Sequence, residues 1–310
     1  MDNSFPPSPP RGEGRVRGES GPRTAPSGLG ERLRAGWRRA LRHRGFVLGL
    51  AITGAALLTA LLGPLVSTRD PYAQDLRHAF DRPSWGYPFG RDEFGRDLYA
   101  RVIQGSRYTL GMGTATVAIG LLAGVALGSA AGYYGGMADT VVMRAIDLLL
   151  AFPSLLLAIA IVSILGPGLV NLVIAVGVYS IPQFARLVRG VALALREQEY
   201  ILAARAIGVP DPRIIARHLL PGCVAPVIVQ ATFSVAAAVL AVSGLSFLGL
   251  GAQPPLPEWG VMLSRSRGYM RLAPHVVVFP GLAIVVVIIG LNLIGDGLRD
   301  LLDPRLRRVL

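Results

Sequence analysis

The chain is organised around Glu199-Tyr200-Ile201-Leu202-Ala203-Ala204-Arg205-Ala206-Ile207-Gly208, a polar, helix-forming stretch that lies between long apolar segments. Four of its residues, Tyr200, Ala203, Ala204 and Ile207, follow the i, i+3, i+4, i+7 spacing of one helix face. Gly208 predicts the end of this helix, because glycine readily adopts the left-handed conformation that closes many helices. The stretch therefore predicts a short helix whose small, apolar face is open to another surface.

The chain continues as Asp211-Pro212-Arg213-Ile214-Ile215-Ala216-Arg217-His218-Leu219-Leu220-Pro221. Asp211 and Pro212 predict the N-cap and first residue of a second short helix, and Pro221 predicts its end. Two short helices joined at a glycine form a helix-turn-helix-like knob. Arginines on both helices offer positive charge to a partner protein. The alternative is an amphipathic helix that lies flat on the membrane surface.

This pattern resembles the EAA loop of bacterial ABC importer permeases, in which two alanines, a glycine four residues after the second alanine, and a Leu-Pro pair stand at fixed spacing. Leu202 stands where the family often has Glu, and His218 stands where Ile is common. We call residues 190–221 the connecting segment. The resemblance implies that this segment couples the chain to an ATPase subunit through Tyr200, Leu202, Ala203, Ala204, Arg205, Gly208, Arg217, His218, Leu220 and Pro221.

The composition indicates a membrane protein, because 52% of the residues are hydrophobic and only 16% are charged. The net charge of +12 comes from arginine alone, since the chain has no lysine. The excess of arginine lies largely in the N-terminal tail and the loops. Membrane proteins concentrate positive charge in their cytoplasmic segments, and this accounts for the arginines without a nucleic-acid partner, so we expect none. A single cysteine, Cys223, excludes an intramolecular disulfide and a cysteine-cluster metal site.

Six apolar segments of spanning length predict an all-α, polytopic membrane protein with both termini in the cytoplasm. Residues 1–45 are rich in Pro, Gly, Ser and Arg and predict a disordered, basic cytoplasmic tail. Residues 46–310 predict the membrane domain. Its predicted spans are about Phe46 to Val66, Leu110 to Gly132, Val141 to Leu165, Leu169 to Val188, Cys223 to Leu250 and Val276 to Ile294.

Several local patterns refine this arrangement. Glycines at every fourth position from Gly120 to Gly132 predict close helix packing in the second span. Pro153 predicts a kink in the third span, and Pro182 one in the fourth. Arg144 and Asp147, three residues apart, are expected to form an ion pair with each other or with Asp139. The alternative is that these charged groups relay protons within the membrane. Trp259, which follows a proline-rich run, predicts an aromatic anchor at the membrane boundary.

Two further stretches resemble signatures of one branch of ABC permeases, the oligopeptide, dipeptide and nickel branch. They are Tyr87-Pro88-Phe89-Gly90-Arg91-Asp92-Glu93-Phe94-Gly95-Arg96-Asp97-Leu98, in which Arg91 replaces the usual Thr, and the run from Leu245 to Gly260. The first predicts a compact, turn-rich segment on the outer side, and its residues are expected to be structural; a solvated loop with local ion pairs is the alternative.

The resemblance covers about Leu48 to Arg305 and identifies the chain as the second of two homologous permease subunits, with an ABC importer type I permease fold. It implies a sibling permease, two cytoplasmic ATP-binding subunits, an extracytoplasmic solute-binding protein, and a location in the bacterial or archaeal cytoplasmic (inner) membrane. The expected solutes are dipeptides or oligopeptides, with nickel or another small solute as the alternative.

The residues predict no chemistry of the chain's own. Without lysine it has no Gly-x-x-x-x-Gly-Lys phosphate loop, and its four histidines, His43, His78, His218 and His275, lack metal-ligand spacing. We therefore expect no catalytic residue, cofactor or metal, and ATP hydrolysis in separate subunits. An ion-coupled secondary transporter or channel and a membrane scaffold are the rival classes. Secondary transporters usually place ionisable groups at the membrane midplane, whereas predicted spans four to six have none in their apolar interiors.

Overall fold

The computed structural model describes residues 43–302, which are almost wholly helical. The prediction of a disordered tail over residues 1–45 therefore falls almost entirely outside the described residues. Within the described range no strand is present beyond an isolated bridge between Arg91 and Asp97. The helices are α1 Arg44–Val66, α2 Leu98–Tyr134, α3 Gly136–Leu150, α4 Ser154–Leu165, α5 Leu169–Leu195, α6 Glu199–Ala206, α7 Asp211–Ile214, α8 Leu220–Phe247, α9 Trp259–Ser266 and α10 His275–Leu302.

Five helical stretches within 43–302 are long and apolar enough to cross a membrane, and the count is six if the bent pair α3 and α4 forms one span. The predicted kink at Pro153 is confirmed as an 88° bend between these two helices. The break follows from the sequence, because proline has no backbone N–H to continue the ladder of α3. Helix α5 runs unbroken through Pro182.

The glycine pattern of α2 is confirmed as a packing surface against α5. A Cβ built on Gly120 would lie 2.7 Å from the Ser180 Cβ, and one on Gly128 would lie 2.4 Å from the Ala185 carbonyl oxygen. Real side chains do not tolerate such distances, so only glycine permits this approach of the two helices. The two helices therefore form one closely packed unit.

Helix α2 begins at Leu98, twelve residues before the predicted span. The early start has a local cause, since the Asp97 carboxylate accepts hydrogen bonds from the N–H groups of Tyr99 and Ala100 and caps the helix. Arg101 thereby lies in the first helical turn, where its guanidinium donates to the Pro71 carbonyl oxygen.

The prediction that Pro221 ends a short helix is wrong. A π-helical turn, Ile215–Leu219, follows α7 and leads directly into α8, so the helical stretch continues from Asp211 to Phe247. Pro221 lies in the first turn of α8, directly after the π-helical turn, and does not end the helix. The prediction that Asp211 is the N-cap of this helix is also wrong. Asp211 is the first residue of α7, and Pro210 is the N-cap, with no side-chain hydrogen bond to the helix.

Trp259 is not the membrane-boundary anchor that its neighbours predict. It is 2% exposed and its Nε1 donates to the Val102 carbonyl oxygen at 2.9 Å. Helix α9, which Trp259 begins, packs against α8 and α10. The run between α8 and α10 is therefore folded into the bundle.

Candidate functional site

Helix α6 ends as its sequence predicts. Gly208 has a φ of 78°, the Gly208 N–H donates to the Arg205 carbonyl, and the Val209 N–H donates to the Ala204 carbonyl. This pair of bonds is the Schellman motif, which satisfies carbonyl groups that the end of a helix leaves free. The turn fixes the direction in which the chain enters α7.

The knob has its own apolar core, which attaches it to the rest of the bundle. Ile201, Ile214 and Leu219 are fully buried, and Ala204 is 6% exposed. They pack with residues from the ends of three spans: Tyr133, Val188, Ala192 and Cys223. The prediction that Ala204 lies on the open face of this helix is therefore wrong. Its small side chain fits the interior of the knob.

The opposite side of α6 is open and partly apolar. Ile207 is 81% exposed, and Tyr200 and Leu202 are each 47% exposed. Ala203 is also exposed, and Gly208 has open space around it. Four of the ten residues predicted to dock an ATPase thus lie on an exposed, partly apolar surface together with Ile207.

The remaining predicted residues are spread over the rest of the connecting segment. Arg217 and Pro221 are exposed, whereas His218 and Leu220 are only partly exposed. His218 Nδ1 is buried and has no hydrogen-bond partner within residues 43–302. Arg213 is exposed on α7, and Arg217 is exposed on the π-helical turn that follows, so the connecting segment presents positive charge as well as apolar surface.

Arg205 faces Tyr133 at the end of α2, which the sequence had not singled out. Arg205 Nε donates to the Tyr133 hydroxyl at 3.2 Å, and that hydroxyl donates to Asp211 Oδ1 at 2.7 Å. Tyr133 lies in the Tyr-Tyr-Gly-Gly turn between α2 and α3. No local signal connects it with Asp211, which is 78 positions away.

The acids of α3 pair with α5, and the predicted partnership with Arg144 is wrong. Arg189 forms a bidentate pair with Asp139, with Nη2 to Oδ2 at 2.6 Å, and Arg186 Nη2 lies 2.6 Å from Asp147 Oδ1. Arg144 is exposed. Helix packing brings the arginines of α5 to these acids, which outweighs the weak preference for pairs three residues apart. The two pairs hold the end of α5 against α3.

At the other end of the bundle, the Tyr87–Leu98 stretch forms a buried ionic cluster and not a solvated loop. Asp92 accepts from Arg96 Nε at 2.6 Å, and its Oδ2 lies 3.2 Å from Arg101 Nε. The Asp92, Arg96 and Arg101 side chains are each at most 6% exposed. Charges removed from water require such partners, so the cluster fixes the fold of this segment, as the sequence interpretation expects.

Glu258 is a second buried group that the sequence did not indicate. Its carboxylate caps α9 by accepting from the N–H groups of Gly260 and Val261, and Oε1 lies 3.2 Å from Thr109 Oγ1. Burial raises the pKa of this carboxyl, while the two backbone N–H groups act in the opposite direction. Glu258 thereby joins α9 to α2.

These features define a polytopic helical membrane protein that carries an exposed knob between two of its spans. The chain belongs to the family of binding-protein-dependent transport system inner membrane components, whose model matches residues 124–308. A second model, the N-terminal transmembrane domain of oligopeptide transport permease C, matches residues 32–83. The chain is thus an ABC importer permease, and the secondary-transporter and scaffold classes no longer apply.

Relatives of known name agree with this assignment. The chain is 46% identical over 275 residues to the dipeptide transport system permease protein DppC of Alkalihalophilus pseudofirmus, covering 87% of this chain and 90% of the relative. It is 45% identical over 276 residues to the glutathione transport system permease protein GsiD of Pectobacterium atrosepticum, with the same coverage.

A solved structure supports the predicted fold. The MetNI methionine ABC transporter, in inward-facing conformations, contains a chain that matches with a TM-score of 0.52 at 20% identity. The match covers 65% of this chain and 96% of that one. The ABC importer permease fold is therefore confirmed.

Proposed function

We propose that this chain is one of two homologous permease subunits of an ATP-driven importer of dipeptides or oligopeptides. Two cytoplasmic ATPase subunits supply the energy, an extracytoplasmic binding protein delivers the solute, and this chain holds no cofactor of its own. The named relatives transport a dipeptide and glutathione, which is itself a small peptide, and this favours a peptide over nickel.

The exposed surface of α6 carries the proposal for coupling. An isoleucine that is 81% exposed is unusual on a part of the chain that lies outside the apolar spans, and exposed apolar surface of this kind marks protein–protein contacts. The glycine turn next to it lets a partner approach the backbone closely. Arg213 and Arg217, which are exposed on the same connecting segment, attract acidic residues of the partner. We therefore propose that this side of the knob binds the ATPase and that the knob and both termini lie in the cytoplasm.

The mechanism follows from the way the knob is attached. When two ATPase subunits close on ATP, the docked knob moves with them. Helix α5 leads into the knob and α8 leads out of it, so both change their tilt. The pathway between the two permeases then opens alternately to either side of the membrane.

The first test is a mild-detergent purification of the tagged protein from its own host, followed by mass spectrometry. Recovery of a second permease and ATPase subunits supports the assembly. Recovery of the chain alone or as a homo-oligomer, across several detergents, contradicts it.

The substitution Ile207→Glu tests the docking surface, because it places a charge on the apolar patch without touching the knob's core. We expect loss of the ATPase subunits from the purified complex. Met137→Glu is the matched control, since Met137 is 78% exposed near the same end of the bundle but outside the connecting segment. Equal recovery of ATPase from both variants would contradict the docking assignment. Uptake of radiolabelled dialanine, glutathione and Ni²⁺ by host cells then decides the solute.

A further inference from the structure

Tyr133 joins α2 to both short helices of the knob. It is the penultimate residue of α2 and is 3% exposed. Its hydroxyl lies between the Asp211 carboxylate, at 2.7 Å, and Arg205 Nε, at 3.2 Å. The Arg205 guanidinium also lies over the Tyr133 ring, 4.4 Å from the ring centre. One phenol group therefore contacts α6 and α7 at the same time.

The hydroxyl does more than fill space. A phenylalanine ring would occupy the same position in the knob's core, so packing alone does not require an oxygen atom there. Hydrogen bonds to a carboxylate and a guanidinium are roughly twice as strong as neutral ones. Tyr134, the next residue, is 53% exposed and makes no such contact within residues 43–302.

Two more contacts attach the α2–α3 junction to α5. Arg196 Nη1 donates to the Gly132 carbonyl oxygen at 3.3 Å, and the Arg189–Asp139 pair ties the start of α3 to α5. Between these contacts the chain turns at Gly135 and Gly136, whose φ values are 66° and 51°. The junction is therefore held by polar contacts on both sides of its glycine turn.

We propose that Tyr133 is a positioning residue that transmits movement of the connecting segment to α2. The proposal rests on the proposed function, in which an ATPase moves the knob. The covalent links of the knob reach only α5 and α8, whereas the Tyr133 hydroxyl gives α2 a direct attachment.

The test compares Tyr133→Phe with Tyr134→Phe in the complete complex purified from the host. Each variant also carries Met137→Cys, an exposed reporter at the junction beside Tyr133. Maleimide labelling of the reporter is measured with and without ATP and vanadate. Native Cys223 is 2% exposed and serves as the background.

We expect both variants to retain wild-type amounts of ATPase subunits, because neither residue lies on the docking surface. In the wild type and in Tyr134→Phe, ATP and vanadate change the labelling rate. In Tyr133→Phe, loss of two charge-assisted bonds reduces that change about five- to tenfold. An undiminished change in Tyr133→Phe overturns the proposal. A wild-type complex without ATPase subunits instead refutes the proposed function.

A second pair of variants separates coupling from folding. Asp211→Asn keeps an oxygen that accepts from the Tyr133 hydroxyl, whereas Asp211→Ala removes it. We expect Asp211→Asn to retain most of the ATP-dependent change. Asp211→Ala should lose part of it, and less than Tyr133→Phe loses, because the bond from Arg205 to the Tyr133 hydroxyl remains. The double variant Tyr133→Phe/Asp211→Ala should be no worse than Tyr133→Phe alone, because the interaction that Asp211→Ala removes is already absent in Tyr133→Phe. Additive losses would show that the two residues act separately and would overturn the proposal.

Discussion

Gly128→Ala tests the packing of α2 on α5 most directly. The added Cβ would lie 2.4 Å from the Ala185 carbonyl oxygen and 3.1 Å from the Ala185 Cα. Ordinary van der Waals contact begins at 3.4 Å, so the helices must separate locally by about 1 Å, a gap that forfeits up to about half of each affected contact. Neither atom is the end of a flexible side chain, so the strain cannot be relieved by a rotamer change.

The magnitude follows from two opposing terms. Overpacking of this kind costs about 1–3 kcal/mol. Replacing a helical glycine by alanine returns about 0.5–1 kcal/mol through backbone entropy. The net loss is about 0–2.5 kcal/mol. A loss near the middle of this range, about 1 kcal/mol, corresponds to an apparent melting temperature about 2–4 °C lower for a large domain.

The control is Gly111→Ala in the same helix. Gly111 is exposed, and apart from its chain neighbours and the backbone of its own helix no atom of the described residues lies within 4 Å of its built Cβ. Both variants gain the same helix propensity, so the difference between them isolates the contact with α5. Detergent-purified proteins are melted at one fixed scan rate, because unfolding of such proteins is commonly irreversible. Equal melting temperatures for the two variants would refute the reasoning.

Three further predictions concern buried groups. Trp259→Phe loses the bond to the Val102 carbonyl and should destabilise the protein by about 1–3 kcal/mol, seen as a lower melting temperature; an unchanged one would show that the bond contributes nothing. The raised pKa of Glu258 favours its protonated form in the folded state, so stability from this group is lost as pH rises through that pKa. Glu258→Gln should therefore show a flatter fall in melting temperature than the wild type as the pH rises above the ordinary glutamate pKa of 4.5, and parallel curves would contradict this. Ala204→Leu should lower the melting temperature by overpacking the knob, while Ala203→Leu should leave it unchanged; the reverse order would contradict the assignment of the two faces.

The helices and their close packing could be predicted because their signals are local. Apolar runs gave the spans, Pro153 gave the bend, and glycines at every fourth position gave the face that meets α5. Each of these depends on a periodicity or a backbone constraint that a single segment carries. Family membership followed from short motifs in the correct order.

The polar contacts could not be predicted, since they depend on the register between distant helices. Tyr133 meets Asp211 across 78 positions, and Arg189 meets Asp139 across 50. Sequence spacing favoured a local pair between Arg144 and Asp147, which is worth only about 0.2–0.5 kcal/mol on an isolated helix. In the folded chain these acids instead pair with Arg186 and Arg189, which the packing of α5 against α3 brings within hydrogen-bond distance.

The paired alanines show why one motif can encode two different surfaces. Ala203 and Ala204 are adjacent on a helix that has only one buried side, so their Cβ atoms point about 100° apart. Ala204 is held in the core of the knob beside Ile201, and its carbonyl closes the Schellman turn. Ala203 faces outward beside Ile207. A small residue is therefore required at one position by this chain's own packing. At the other, the chain's own contacts impose no such limit, and a restriction to alanine there would come from a partner.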